Sequence, residues 1–280
     1  MSVKKLLRGL ALRPRKGLGQ HFLVSEAALQ RIVAAAELSA ADVVLEVGPG
    51  LGGLTRLLAA QAGHVVAVEL DPQLAEILQR ELAGQTNLTI IQGDILSLAP
   101  GELVEPFHEQ PDDRRYKVVA NLPYYVTSAI LRHLLTADEP PQVIVVTVQR
   151  EVAQRIVAGP GEMSLLAVSV QFYGQPRIVT RIPAGAFYPV PKVDSAVVRI
   201  DRRERPAAAV ADAGRFFAVV RAGFGQRRKQ LRNSLAAGLD RPAAEMEAAL
   251  RRAGIEPRRR AETLSLAEWE KLYRAVEGEK

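Results

Sequence analysis

Five short apolar runs, each followed by a stretch of helical character or a turn, leave this chain few ways to fold. Val43–Val47 (VVLEV), Val65–Glu69 (VVAVE), Leu88–Ile91 (LTII), Tyr116–Ala120 (YKVVA) and Val143–Val148 (VIVVTV) are almost continuously apolar. Runs of this kind are buried on both faces, which places them in a parallel sheet covered by helices on either side. The spacing predicts helices over Leu54–Ala62, over Thr127–Leu135, and over Pro72–Leu82, where Leu74, Ile77, Leu78 and Leu82 share one face. Ser164–Tyr173 fits a helix or a buried strand, and the helix is favoured. Ile178–Ile182 and Ala196–Ile200 read as two strands around the loop Phe187-Tyr188-Pro189-Val190-Pro191. Such a pair would close the sheet with an antiparallel member.

After Asp201 the pattern changes. RRERPAAAVAD reads as a linker, and helices are predicted over Gly214–Ala222, Lys229–Ala237, Ala243–Ala253 and Leu266–Val276. The expected organisation is a basic N-terminal arm (1–16), an α/β domain (17–204) and a small all-helical C-terminal domain (205–280). The 280 residues include no cysteine, which excludes disulfides, thiolate metal sites, iron–sulfur clusters and cysteine nucleophiles. His21, His64, His108 and His133 lack ligand-like spacing, so no metal site is expected. No apolar run reaches the length of a membrane span. The apolar N-terminal stretch is broken by Arg8 and ends at Arg13-Pro14-Arg15-Lys16, unlike a signal peptide, so a cytoplasmic location is expected.

Charge is unevenly distributed. Residues 1–16 hold six Lys or Arg and no acid; residues 17–200 hold thirteen basic and nineteen acidic residues; residues 201–280 hold eighteen basic and twelve acidic. Basic ends around an acidic middle suit either solvated faces or contact with a polyanion.

Three constellations carry chemistry. Glu46-Val47-Gly48-Pro49-Gly50-Leu51-Gly52 lies between a strand and a helix, where glycines allow a sharp turn and close ligand approach. Glu69 ends the next strand, where an acid bonds ribose hydroxyls in doubly wound folds. These two features fit a dinucleotide enzyme and a methyltransferase equally. Gly93-Asp94-Ile95 follows the third strand, and its carboxylate could accept from an adenine amine. Asn121-Leu122-Pro123-Tyr124 follows the fourth strand, at the carboxyl edge where such sheets bind ligands. An adenine N6 is a poor nucleophile because its lone pair is delocalised into the ring. Two acceptors for its N–H groups, the Asn121 side-chain oxygen and the Leu122 or Pro123 carbonyl, would localise that pair towards an electrophile. Tyr124 would offer the base a stacking face.

These segments, with Gly19-Gln20-His21-Phe22-Leu23, Gln149-Arg150-Glu151-Val152-Ala153, Phe187-Tyr188-Pro189-Val190-Pro191-Lys192-Val193-Asp194-Ser195 and Gln226-Arg227-Arg228-Lys229-Gln230-Leu231-Arg232-Asn233-Ser234-Leu235, span nearly the whole chain. In that order the sequence resembles the bacterial small-subunit ribosomal RNA adenine dimethyltransferase family. The resemblance implies a Rossmann-like methyltransferase sheet, mostly parallel with one antiparallel strand, and a small helical C-terminal domain. It implies transfer of two methyl groups from S-adenosylmethionine to each of two adjacent adenosines in the 3′-terminal hairpin loop of small-subunit rRNA. By the same resemblance His21, Leu23, Gly48, Glu69, Asp94 and Asn121 would contact the cofactor, and Phe187 would help Tyr124 hold the target base. Arg227, Arg228, Lys229 and Arg232 are read as contacts to rRNA phosphates, and a monomer is expected. Two departures stand out: Gly161-Glu162-Met163-Ser164 is shorter than the usual loop with its Tyr-Gly pair, and His21 replaces an asparagine common in relatives. Three alternatives stay open at this level: a large-subunit rRNA methyltransferase, a DNA adenine methyltransferase, and a binding factor that keeps the fold without the activity.

Overall fold

The structure, a computed structural model, describes residue 15, residues 19–108 and residues 114–278. The first strands and helices in chain order are β1 (Phe22–Leu23), α1 (Glu26–Ala36), β2 (Val43–Val47), α2 (Gly53–Ala59), β3 (His64–Glu69), α3 (Pro72–Glu81), β4 (Leu88–Gln92) and α4 (Pro100–Val104). They continue with β5 (Tyr116–Asn121), α5 (Thr127–Leu135), β6 (Val143–Gln149), α6 (Arg150–Ile156), α7 (Leu165–Tyr173), β7 (Gly174–Ile182), β8 (Phe187–Tyr188) and β9 (Ser195–Arg202). Four helices follow: α8 (Ala213–Phe224), α9 (Leu231–Leu239), α10 (Ala243–Arg252) and α11 (Leu266–Glu277).

The chain divides into two compact units, one of residues 1–153 and 177–202 and one of residues 154–176 and 203–280. The first is built on a seven-stranded sheet of order β4-β3-β2-β5-β6-β9-β7. The pairs β2–β3, β3–β4, β2–β5 and β5–β6 are parallel, and β9 runs antiparallel to β6. This is the mostly parallel sheet with an antiparallel member that the apolar runs predict. All five residues of β2 are buried, as a central strand flanked on both edges requires. From β2 the chain steps outward to β3 and β4, then returns to build β5 and β6 on the other side. That reversal opens a crevice at the carboxyl ends of the strands, where open α/β sheets bind ligands.

Helix starts follow local chemistry. Ser25 caps α1 by accepting from the Ala28 amide, and Asp71 caps α3 by accepting from the Gln73 amide, with Pro72 in the first turn. The sequence reading places no element over 22–37, yet this stretch holds β1 and α1. Residues in β1 pair antiparallel with β8, Phe22 opposite Tyr188 and Leu23 opposite Phe187.

The helical unit packs around aromatic rings. Trp269, Phe172, Phe216 and Tyr273 are fully or almost fully buried, and Phe172 stacks on Phe216 at 5.0 Å between ring centres. Helix α7 belongs to this core through Ala167, Val168 and Phe172, whereas the linear division puts it in the first domain. Its apolar run predicts burial but carries no information about which core receives it. A capping box joins Ser265 and Glu268 at the start of α11, and Gly278 ends that helix at φ 77°. Among the described residues no helix is long and apolar enough to cross a membrane.

Candidate active site

Four strand ends converge on one cavity of about 280 Å³ in the sheet unit. After β2 the backbone turns through Gly48, Gly50 and Gly52, all at positive φ (70°, 59° and 74°), a conformation that only glycine adopts without strain. The Gly48 amide donates to the Val68 carbonyl at 2.9 Å, which ties the turn to β3. A Cβ on Gly48 would meet no protein atom within 4 Å, so the backbone here lies open to the cavity it lines.

Glu69 ends β3 and is 6% exposed. Its two carboxylate oxygens accept from the Gly50 amide (3.0 Å) and the Asp71 amide (2.9 Å), which fixes the group against the glycine turn. Burial pushes its pKa above the ordinary carboxylate value, and these backbone donors oppose the shift. Asp94 lines the same cavity, with Oδ1 on the Leu96 amide at 3.0 Å. Among the described residues the cavity lining carries Glu69 and Asp94 and no Lys or Arg.

Asn121 ends β5. Its Nδ2 donates to the His21 carbonyl at 3.1 Å. A carbonyl only accepts, so this contact settles the amide's orientation and leaves Oδ1 as the unspent acceptor. The Pro123 carbonyl takes the Val126 amide (3.3 Å) and the Thr127 hydroxyl (3.1 Å) at the start of α5. Of the two carbonyls in the Asn-Leu-Pro-Tyr turn, that of Leu122 is therefore the one with capacity to spare. The Tyr124 hydroxyl meets Ser195 Oγ at 2.6 Å, an anchor that orients the ring, and burial raises its pKa. His21 lines the cavity, donates from Nδ1 to the Pro189 carbonyl at 2.7 Å, and stacks on Tyr124 at 5.6 Å between ring centres.

The sequence-predicted residues do not all meet. Gly48, Glu69, Asp94, Asn121, Tyr124 and His21 line this cavity. Leu23 lies outside its lining and borders a neighbouring cavity of about 620 Å³ that also reaches Gly48, Gly50 and Asn121. Phe187 is not brought to either cavity. It is 2% exposed and packs in the core with Leu29, Ile32 and Val44, so in this arrangement it presents no face to a base. The period-two alternation of β8 sends its ring inward. The segment-level resemblance cannot register which way a two-residue strand faces.

Two residues without an assigned role in the sequence reading matter here. Ser195 anchors Tyr124. Glu46, in β2, is 1% exposed, borders the second cavity, and has Oε2 buried without a hydrogen-bond partner. Its pKa is pushed up to about 8, chiefly by burial, with Thr55 opposing and the Glu69 charge adding to the shift. The signal was available, since an acid inside an otherwise apolar strand is costly unless a partner or a ligand meets it.

In the helical unit, Arg227, Arg228 and Lys229 are exposed in the turn before α9. Arg232 differs: it is half-buried and pairs with Glu247 at 2.9 Å, and Glu247 also pairs with Arg251. Its Nη1 is engaged within the unit, which sets it apart from the three exposed cations. The basic arm lies outside the described residues except for Arg15. Among the described residues no group of three or more His, Asp and Glu is placed to hold a metal.

Comparison with known proteins agrees with this geometry. The family model described as ribosomal RNA adenine dimethylase matches residues 11–277. A relative from Dehalococcoides mccartyi called ribosomal RNA small subunit methyltransferase A is 49% identical over 269 residues, covering 96% of this chain and 90% of its own. A relative of the same name from Moorella thermoacetica is 44% identical, covering 97% and 96%. The crystal structure of the 23S rRNA methyltransferase ErmE aligns with a TM-score of 0.69 and 31% identity, over 91% of this chain and 99% of that one. A dimethyladenosine transferase from Plasmodium falciparum shares the fold, with a TM-score of 0.72 and 22% identity over 90% and 96% of the two chains. With the family model spanning both units and the cavity formed by the strand ends that carry its motifs, the chain belongs to the ribosomal RNA adenine dimethylase family.

Proposed function

We propose that this rRNA adenine methyltransferase uses S-adenosylmethionine to dimethylate the N6 amines of two adjacent adenosines in the 3′-terminal hairpin loop of small-subunit rRNA. The observation that carries the reading is the Asn121 amide, held by the His21 carbonyl so that Oδ1 is free at the cavity. With the Leu122 carbonyl, Oδ1 would accept both N6 hydrogens and localise the lone pair on nitrogen. Tyr124, anchored on Ser195, would stack on the extruded base.

The lining fits the cofactor. Glu69 is positioned to accept from ribose hydroxyls, Asp94 from the adenine amine, and the open backbone at Gly48 admits close approach. The two carboxylates of the lining suit a sulfonium and disfavour the pyrophosphate of a nicotinamide dinucleotide. Bound there, S-adenosylmethionine supplies an electrophilic methyl group. The protein's part is to position and desolvate, and the methylated amine then loses a proton without a strong base. The second methylation proceeds on an amine with one N–H, for which either Asn121 Oδ1 or the Leu122 carbonyl suffices. Phe187 can act on the base only by turning out of the core; in the observed arrangement it supports the β1–β8 ribbon.

For the RNA, Arg227, Arg228 and Lys229 and the cations of the arm 1–16 other than Arg15 would contact phosphates, which position the substrate while loop shape selects the site. The likeness to a 23S rRNA enzyme keeps a large-subunit substrate as the second reading, and the higher identity to small-subunit enzymes favours the first. Transfer of labelled methyl groups to undermethylated small and large subunits, followed by nucleoside analysis, tests both. Dimethyladenosine in small subunits alone is the expected result; label in large subunits alone would overturn it.

A further inference from the structure

The chain before β1 forms one wall of the cavity through Gln20 and His21, yet β1 ties it to β8 by only two residue pairs. So short a ribbon does not by itself hold a wall in place. His21 is held further by its contacts to the Pro189 carbonyl and Asn121, and Gln20 is held by Asp71, which is 3% exposed and does not line the cavity. Its Oδ2 accepts from Gln20 Nε2 at 3.2 Å, and its Oδ1 accepts from the Gln73 amide at 3.1 Å and pairs with Arg15 at 3.2 Å. Arg15 adds two bonds of its own, from Nη2 to Gln73 Oε1 at 3.0 Å and from its amide to Gln20 Oε1 at 2.8 Å. The Gln20 side chain is thus held at both ends, its oxygen by Arg15 and its nitrogen by Asp71. Meanwhile the Asp71 amide holds Glu69 Oε1. One residue therefore grips the wall with its side chain and the ribose acceptor with its backbone.

A buried carboxylate is costly unless its lone pairs are met. Helix capping alone does not call for the charge, since asparagine caps as well as aspartate. We propose that Asp71 is a positioning residue for cofactor binding: its carboxylate latches Gln20, which lines the cavity, and Arg15 to the start of α3 and so sets the affinity for S-adenosylmethionine, without taking part in methyl transfer. The inference rests on the cofactor reading given above.

Asp71→Asn isolates the latch. It keeps the cap on α3 and the amide that holds Glu69. With Oδ1 on the Gln73 amide, its Nδ2 would face Gln20 Nε2, donor against donor. The dissociation constant for S-adenosylmethionine should rise about tenfold, the loss of one charge-assisted hydrogen-bond set. The turnover number at saturating cofactor should change less than about twofold, as uniform binding loss requires. In the cofactor-free protein, amide hydrogen exchange over residues 19–24 should quicken, a readout independent of the cofactor. Adding Gln20→Glu to Asp71→Asn supplies an acceptor for the new Nδ2 while still accepting from the Arg15 amide, and should restore both affinity and protection. Unchanged affinity and exchange in Asp71→Asn would overturn the proposal. So would a loss of turnover and melting temperature that Gln20→Glu does not rescue, which marks a merely structural residue. A wild-type protein that fails to bind S-adenosylmethionine while Asp71→Asn still speeds exchange would overturn the cofactor reading and the affinity role together, and leave only the tie.

Discussion

The two units treat polar side chains in opposite ways. Nine polar or charged residues are buried among the described residues; eight, including Glu46, Glu69 and Asp71, belong to the sheet unit, and only Ser234 belongs to the helical unit. The helical unit instead buries Trp269, Phe216 and Phe172 and settles its charges in pairs nearer the surface, such as Arg232–Glu247, Arg259–Glu268 and Arg274–Glu270. The difference follows from what each must do. A site that holds an amine in a fixed pose needs desolvated acceptors at strand ends, and these cost stability. On the proposed reading the helical unit meets a polyanion; that needs no buried charge, only exposed cations such as Arg227, Arg228 and Lys229.

The comparison is sharpened most by Phe187→Ala. Emptying a fully packed aromatic site should cost the sheet unit about 3–5 kcal/mol. The single tryptophan, Trp269, is buried in the helical unit and reports on it separately. Melting followed by circular dichroism should fall further than melting followed by tryptophan emission; coincident transitions would show that the two units unfold together.

Asn121→Ala comes next. Losing an acceptor that acts mainly in the transition state should lower single-turnover methyl transfer by about 10²–10³-fold. Calorimetric cofactor affinity should change little by comparison. Equal losses in both would move Asn121 from the chemistry to the cofactor wall.

Glu46 tests the stability cost of the buried acids. Its carboxyl is raised from 4.5 to about 8 in the folded protein. Above pH 4.5 the unfolded chain ionises while the folded one keeps its proton, so this group's contribution to stability falls as pH rises and levels off beyond about 8. Glu46→Gln should therefore raise the melting temperature, by a margin that widens from pH 5 to pH 8. A constant margin would mean that Glu46 ionises normally in the fold.

The smallest effects belong to the helical unit. Replacing Arg227, Arg228 and Lys229 by Ala should weaken binding to small subunits and reduce the slope of log affinity against log salt by about 2, as release of fewer counterions predicts. Arg232→Ala should leave that slope unchanged and cost at most about 1 kcal/mol of stability, because it breaks a half-exposed pair. A slope change from Arg232 equal to that of its neighbours would erase the distinction between paired and exposed cations.

Much of this was legible along the chain. The apolar runs name the five parallel strands, and the antiparallel return lies where Ile178–Ile182 and Ala196–Ile200 predict a pair. Gly48, Glu69, Asp94 and Asn121 line one cavity because each ends or closely follows a different parallel strand, and parallel strands bring their carboxyl ends to one edge. Phe187 was not legible in the same way, since its motif fixes its identity but not the face of β8 from which its ring leaves.

Local sequence was enough for the five parallel strands, the glycine turn after the first of them and the amide acceptor at a strand end. These depend on spacing, backbone preference and period, which are local. Long-range packing alone put α7 with the C-terminal helices, paired Arg232 with Glu247 and brought Asp71 back to Gln20 and Arg15. Each of these depends on which partner lies opposite after folding: residue 71 meets residue 20 across 51 positions, and only a closed core brings such residues within hydrogen-bonding distance.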